Sequence, residues 1–189
     1  PEVVRQKVNI NKPIQDVFKV LGRQLAVHEV DLTLDLCDEL PWVLADHNRL
    51  EQVFINLLIN ARDAIEEKWE LESPQKGDKK ITLSSRSEGE RVVVEVQDTG
   101  EGIAGSIIDK VFEPFFTTKD AGKGTGLGLS ITRGIVEEHG GTIEVTGQVA
   151  GGLYSPETKG TQTIVTRDQI EALPTISRSL TRRPRLEYQ

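Results

Sequence analysis

At 189 residues, with 37% apolar and 28% charged residues, the chain has the size and composition of one soluble domain with a substantial core. Its 23 Lys and Arg against 30 Asp and Glu give a net charge of −7, which argues against a broad nucleic-acid surface. A single cysteine, Cys37, excludes an internal disulfide and fits a reducing compartment, and the sequence contains neither a membrane-length apolar run nor a signal peptide.

In chain order, Val8 and Ile10 alternate with polar residues and predict a short first strand. Pro13 suits the first turn of a helix, and Ile14, Val17, Phe18, Leu21 and Leu25 keep helical spacing to about Val27. Leu32, Leu34 and Leu36 alternate strictly and predict a half-buried strand, with Cys37 a small buried or edge thiol. A short extended piece follows at 40–43, and Asp46 stands as the N-cap of the next helix.

That helix, roughly 49–68, carries Leu50, Val53, Phe54, Leu57, Leu58, Ala61 and Ile65 on one face, while Ile55 and Ile59 add apolar surface on the other. Between them Asn56, Asn60 and Asp63 fall at i, i+4 and i+7. A helix apolar nearly all round is buried, so this polar stripe needs partners: either neighbouring backbone, or a polar ligand and its metal. An asparagine oxygen is a hard ligand acceptable to Mg²⁺ beside phosphates and waters.

A polar loop over 70–80 leads into a hairpin, 81–85 with 91–97, that ends in Asp98-Thr99-Gly100-Glu101-Gly102-Ile103. A carboxylate on a pocket floor only accepts hydrogen bonds, so Asp98 would take adenine's N6 amine and reject guanine's O6. Residues 106–111 predict one short helical turn. Phe112-Glu113-Pro114-Phe115-Phe116 then holds three of the five phenylalanines, placed to anchor a loop that has little regular structure and is long for a mere connection.

Lys119 to Ser130 reads KDAGKGTGLGLS. Gly122, Gly124, Gly126 and Gly128 let backbone approach a ligand closely, and the helix opening at Leu129 brings N–H groups to an anion, with Lys119 and Lys123 beside them. The order Lys123-Gly124 excludes a P-loop, and Leu129 where a third glycine is needed excludes a dinucleotide fingerprint. The helix ends at Gly140-Gly141, with His139 a helix-end residue favourable to the macrodipole, and His28 and His47 structural. Residues 142–146 and 161–166 predict a last strand pair.

These blocks resemble the ATP-binding (catalytic) domain of sensor histidine kinases, in the GHKL superfamily. Residues 56–64 are similar to its N box, 98–103 to its G1 box, 112–116 to its F box and 124–129 to its G2 box, most like nitrogen-regulation-type kinases. The resemblance implies an α/β (α+β) two-layer sandwich of Bergerat type, a mixed sheet of about five strands on three helices with a mobile ATP lid. It covers about Val8 to Thr166; the domain is expected over 1–174, leaving 175–189 as a tail expected to be disordered or tag-derived.

The resemblance further implies ATP (or ADP) with Mg²⁺ on Asn60, Asn56 and Asn60 as the catalytic pair, and a nucleotide contacted by Asp63, Asp98, Gly100, Gly102, Ile103, Phe116, Lys119, Lys123, Gly124, Thr125, Gly126, Leu127, Gly128, Leu129 and Thr161. Its expected partners are the protein's own histidine-bearing dimerisation domain and, downstream, a response regulator, but no nucleic acid. With no methionine and Pro1 first, the chain reads as a piece of something larger, monomeric by itself within a homodimeric parent. It is expected to be cytoplasmic, whether or not that parent is membrane-anchored. The competing classes are a GHKL ATPase, and a nucleotide-binding regulatory module or serine kinase of anti-sigma type. The ATPases use a glutamate one turn before Asn60, where this chain has Asn56.

Overall fold

The computed structural model describes residues 4–70, 78–119 and 124–145, together with the backbone of 162–164. Two short strands, β1 (Gln6–Val8) and β3 (Val43–Ala45), pair antiparallel with each other. The main sheet takes the order β2 (Asp31–Leu36), β4 (Lys80–Glu88), β5 (Arg91–Asp98), β6 (Gln162–Ile164). β2 lies parallel to β4, and the other two pairs are antiparallel. Helices α1 (Asn11–Val27), α2 (His47–Trp69) and α3 (Gly128–Glu138) make the second layer of this α+β sandwich, with α2 between α1 and α3 and against β4 and β5.

The main sheet is therefore mixed, as expected, but the six strands of the described residues divide between two sheets. The first strand is displaced by two residues from the predicted alternation. Ile10, expected to extend it, is completely buried at the start of α1 instead. Pro13 occupies the third helical position, where its missing N–H would have had no intrahelical acceptor. In β2 the leucines point inward and Asp31, Thr33 and Asp35 outward, giving an edge strand with one wet face.

Helix α2 is held at its start by Asp46, whose side chain accepts from the Arg49 N–H at 3.2 Å. Burial works against the Asp46 charge, but bonds from the Arg49, Val4 and Asn48 backbone outweigh it and keep the carboxyl below its ordinary range. All seven residues of its predicted apolar face are at most 1% exposed. Each large one contributes about 1.5–3 kcal/mol of hydrophobic stabilisation. Helix α3 stops as anticipated: Gly140 takes φ 75° while Gly140 N and Gly141 N donate to Glu137 O and Val136 O.

Two expectations are corrected. In the segment predicted as a strand at 142–146, the described part holds only an isolated bridge at Thr142. Its Ile143 and Val145 pack on the core without a ladder, because side-chain burial draws the chain in whether or not its backbone pairs. The predicted turn of helix at 106–111 is a run of i→i+3 turns, with Ile107 N, Lys110 N and Glu113 N donating to Ala104, Ile107 and Lys110. The loops at 71–77 and 147–160 and the tail 175–189 lie outside the described residues.

His139 is not a charged helix end. Its ring is fully buried, Nδ1 lies 2.7 Å from Ile135 O, and Nε2 accepts the Asp46 N–H at 3.0 Å. A nitrogen that accepts a backbone N–H carries no proton, so the imidazole is neutral and ties the end of α3 to the start of α2. His139→Ala should cost about 3 kcal/mol, combining a cavity with an orphaned N–H. Urea denaturation should show this as a lower midpoint at unchanged m.

Candidate active site

The polar stripe of α2 opens into a cavity of about 1010 Å³, whose other walls are 101–107 and the segments 116–119 and 124–129. Asn60 and Gly126, far apart in sequence, line the same space, as do Asn56, Asp63, Gly102, Ile103, Phe116, Lys119, Gly124, Thr125, Gly128 and Leu129. That volume suits a nucleotide-sized ligand.

The wall is closed by contacts that depend on glycine. Gly126 takes φ 64°, and a Cβ there would come within 2.4 Å of the Phe115 backbone. Phe115 is itself at φ 68°, donates its N–H to Gly126 O at 2.9 Å, and is 75% exposed. The two left-handed residues thus lock the phenylalanine segment against the glycine segment. Phe116, one residue on, faces the cavity, and Phe112 packs on the core under the Arg133 guanidinium at 5.6 Å. Gly100 is equally constrained, since a Cβ would lie 2.7 Å from Ala64 of α2.

Asp98 and Gly100 do not line the cavity; they adjoin it through Ala64, which does, and which a Cβ on Gly100 would meet. Asp98 is 1% exposed; its Oδ1 accepts from Gly100 N at 2.8 Å, and Oδ2 finds no partner among the described residues. A buried acceptor left orphaned among the described residues is a place where a ligand's donor would be accommodated. Burial pushes the carboxyl up from 3.8 to about 7, against the opposing pull of Gly100 N–H and Lys68.

On α2 the stripe separates into residues with different tasks. Asn56 Nδ2 donates to Gly128 O and to Thr132 Oγ1, both at 3.2 Å, so its amide nitrogen fastens α3 to α2 and only its oxygen is left for the cavity. Asn60 has no hydrogen bond of its side chain among the described residues, and it faces Gly128, where a Cβ would lie 3.7 Å from its Nδ2 and 3.8 Å from its Oδ1. Asp63 accepts on both oxygens, from Arg62 at 2.6 Å and from Lys119 Nζ.

Leu127 stays out of the wall, while Lys123 and Thr161 lie outside the described residues. Residues not singled out from the sequence are Glu67, Ile59, Ile107, Val111, Thr117 and Thr132. Glu67 continues the same stripe one turn past Asp63 and could have been found by extending it; burial raises its carboxyl. Ile59 was read as surplus apolar surface, yet it forms part of the wall. Away from the cavity, His47 lies between Asp16 and Glu51, while Lys12 and Lys19 hold the other Asp16 oxygen, and His28 pairs with Glu66. The other two histidines thus pair with carboxylates away from the cavity.

Asp98 holds a proton to about pH 7 in the fold but only to about pH 4 unfolded. The folded state therefore binds one proton more across that window, and this residue's contribution to stability falls as pH rises through it. Asp98→Asn should abolish that slope and stabilise the nucleotide-free protein by on the order of 3 kcal/mol at pH 8, with little difference below pH 4. Urea melts at both pH values measure it. Gly126→Ala should lower stability at every pH, because both its φ and the Phe115 backbone oppose a methyl group.

Residues 45–169 match the family described as histidine kinase-, DNA gyrase B-, and HSP90-like ATPase. The sensor kinase CckA of Brucella abortus (strain 2308) is 39% identical over 157 residues, 80% of this chain and 16% of CckA. The sensor histidine kinase ZraS of Escherichia coli (strain K12) is 39% identical over 147 residues, 78% of this chain and 29% of ZraS. This chain thus spans under a third of the length of these relatives.

Among solved structures, the catalytic domain of histidine kinase ThkA in a nucleotide-free form aligns at TM-score 0.65 and 31% identity, covering 84% of this chain and 91% of that one. ThkA in complex with response regulator protein TrrA aligns at 0.62 and 28%, covering 85% and 41%. Full-length ShkA in complex with AMPPNP aligns at 0.64 and 27%, covering 79% and 29%. An orphaned carboxylate behind a glycine-locked cavity, with an amide-bearing helix as its floor, goes with this kinship: the chain belongs to the histidine kinase-, DNA gyrase B- and HSP90-like ATPase family, as an ATP-binding domain of the sensor histidine kinase kind.

Proposed function

We propose that this domain binds Mg-ATP and presents its γ-phosphoryl group to a histidine on a separate dimerisation domain of the parent kinase, as the first step of two-component signalling. The observation that carries it is the shared cavity: Asn60 on α2 faces the glycine segment across a space large enough for a nucleotide, and the orphaned Asp98 Oδ2 lies behind it. Asp98 would accept the N6 amine of adenine, with Gly100 and Gly102 shaping the turn and Ile103 and Phe116 against the base. Lys119 and the N–H groups from Gly124 to Leu129 would meet the phosphates.

Asn60 is the residue fitted to hold Mg²⁺, because it offers a hard oxygen with no competing bond among the described residues. A bound Mg²⁺ would neutralise charge on the phosphates. The chain's own part is otherwise positioning: it seats the base, aligns the triphosphate and excludes water, which is most of what phosphoryl transfer requires. An acceptor imidazole is its own nucleophile, so no protein base is needed at Asn56, and water activation of the gyrase kind has no carboxylate there to use.

The proposal extends to the parent protein: a response regulator as the downstream partner, a homodimer with this domain monomeric by itself, and a cytoplasmic location for this domain. Relatives named as sensor kinases, and the ThkA–TrrA complex, support it. No helix among the described residues is long and apolar enough to cross a membrane.

Incubation with γ-labelled ATP and the cognate histidine-bearing domain should place acid-labile, alkali-stable label on that histidine. Label on a serine of a protein partner, or on nothing, rejects the reading. Asp98→Asn should weaken ATP binding by about tenfold or more, the scale of a lost charge-assisted bond in a buried site, and narrow the preference over GTP. Fluorescence titration with both nucleotides measures this.

A further inference from the structure

Asp63 belongs to the polar stripe on α2 that lines the cavity, but it is a carboxylate, and a carboxylate repels phosphate. Its oxygens are already divided. Oδ1 takes Arg62 Nη2 at 2.6 Å and Nε at 3.0 Å, and Oδ2 takes Lys119 Nζ. The bridge to Lys119 joins α2 to the segment that follows Phe116, and both side chains are largely buried, at 18% and 21% exposure. Gly124 leaves room for the stem of Lys119, since a Cβ there would lie 3.1 Å from Lys119 Cδ.

The two partners are placed differently if the bridge opens. Asp63 keeps Arg62, so its charge stays compensated. Lys119 has no other ion-pair partner among the described residues, and it lines the cavity. Opening therefore frees the Lys119 cation into a space that Glu67 and Glu101 also line, while Asp63 itself keeps a partner, and an incoming phosphate takes up that cation. From this arrangement we infer that Asp63 is a positioning residue rather than a nucleotide contact. It holds Lys119 at the α2 wall until a phosphate exchanges for it, and so sets nucleotide affinity below what the lysine alone would give. The inference rests on the nucleotide reading above and assigns Asp63 the opposite sign within it.

A double-mutant cycle on the Kd for Mg²⁺-AMPPNP, by isothermal titration, tests it. Asp63→Asn should bind about threefold tighter or better, the scale of a partly exposed ion pair, and Lys119→Gln should bind more weakly. In the Lys119→Gln background the Asp63→Asn gain should vanish. Asp63→Ser serves as a second variant with the same expected signs, and thermal unfolding checks that each variant is folded. Weaker or unchanged binding by Asp63→Asn overturns the inference. So does an equal gain with and without Lys119, because that would be a general effect of removing negative charge, as Glu67→Gln would also show. Absence of AMPPNP binding by the wild type would instead fell the nucleotide reading, and this inference with it.

Discussion

The fold is governed by a helix that has to be buried on two sides that want different things. One side of α2 lies on β4 and β5 through residues at most 1% exposed, a contact that demands dry, close packing. Its other side carries amides and carboxylates that cannot be sealed in the same way without large desolvation costs. A cavity roofed by 101–107, 116–119 and 124–129 satisfies both demands. The polar stripe remains solvated, or ligated, while the helix stays inside the domain. What surrounds it, from the Gly100 turn at Ala64 to the Phe115–Gly126 lock, is shaped to approach that stripe without covering it.

The site stores its specificity as instability. Asp98 is buried with one oxygen unsatisfied, so its carboxyl is raised to about 7 and the folded protein carries a cost that an apolar residue would not impose. In the proposed function a donor brought by the ligand relieves that cost, and binding energy is then concentrated at the one place where an amine differs from a carbonyl oxygen. The same logic runs in the opposite direction at Asp63. That carboxylate is over-satisfied, by Arg62 and Lys119 together, and can release one partner without exposing its charge.

Helix α3 is placed by polar ties at both ends. Asn56 binds Gly128 O and Thr132 Oγ1 at its start, and His139 takes the Asp46 N–H at its finish. These bonds fix the glycine segment relative to α2. Hydrogen bonds are directional where apolar packing is not, so these few atoms help to fix the register of the two helices.

The amino-acid sequence alone determined the three helices, the alternation of β2, the Asp46 cap, the stop at Gly140 and the Asn56, Asn60 and Asp63 stripe without its continuation at Glu67, because each depends on local periodicity or on the conformational range of one residue. It also carried four ordered blocks whose combination pointed to the nucleotide family. Tertiary structure alone decided that Asn56 spends its amide on α3, that His139 is a neutral tie, that 142–145 packs without a ladder, and that Asp63 and Lys119 hold each other. Each of those outcomes turns on which of several chemically suitable partners lies within 3 Å or so of a side chain. Spacing along the chain cannot specify that distance, since it arises only when residues 56 and 128, 46 and 139, or 63 and 119 are brought together by the burial of everything between them.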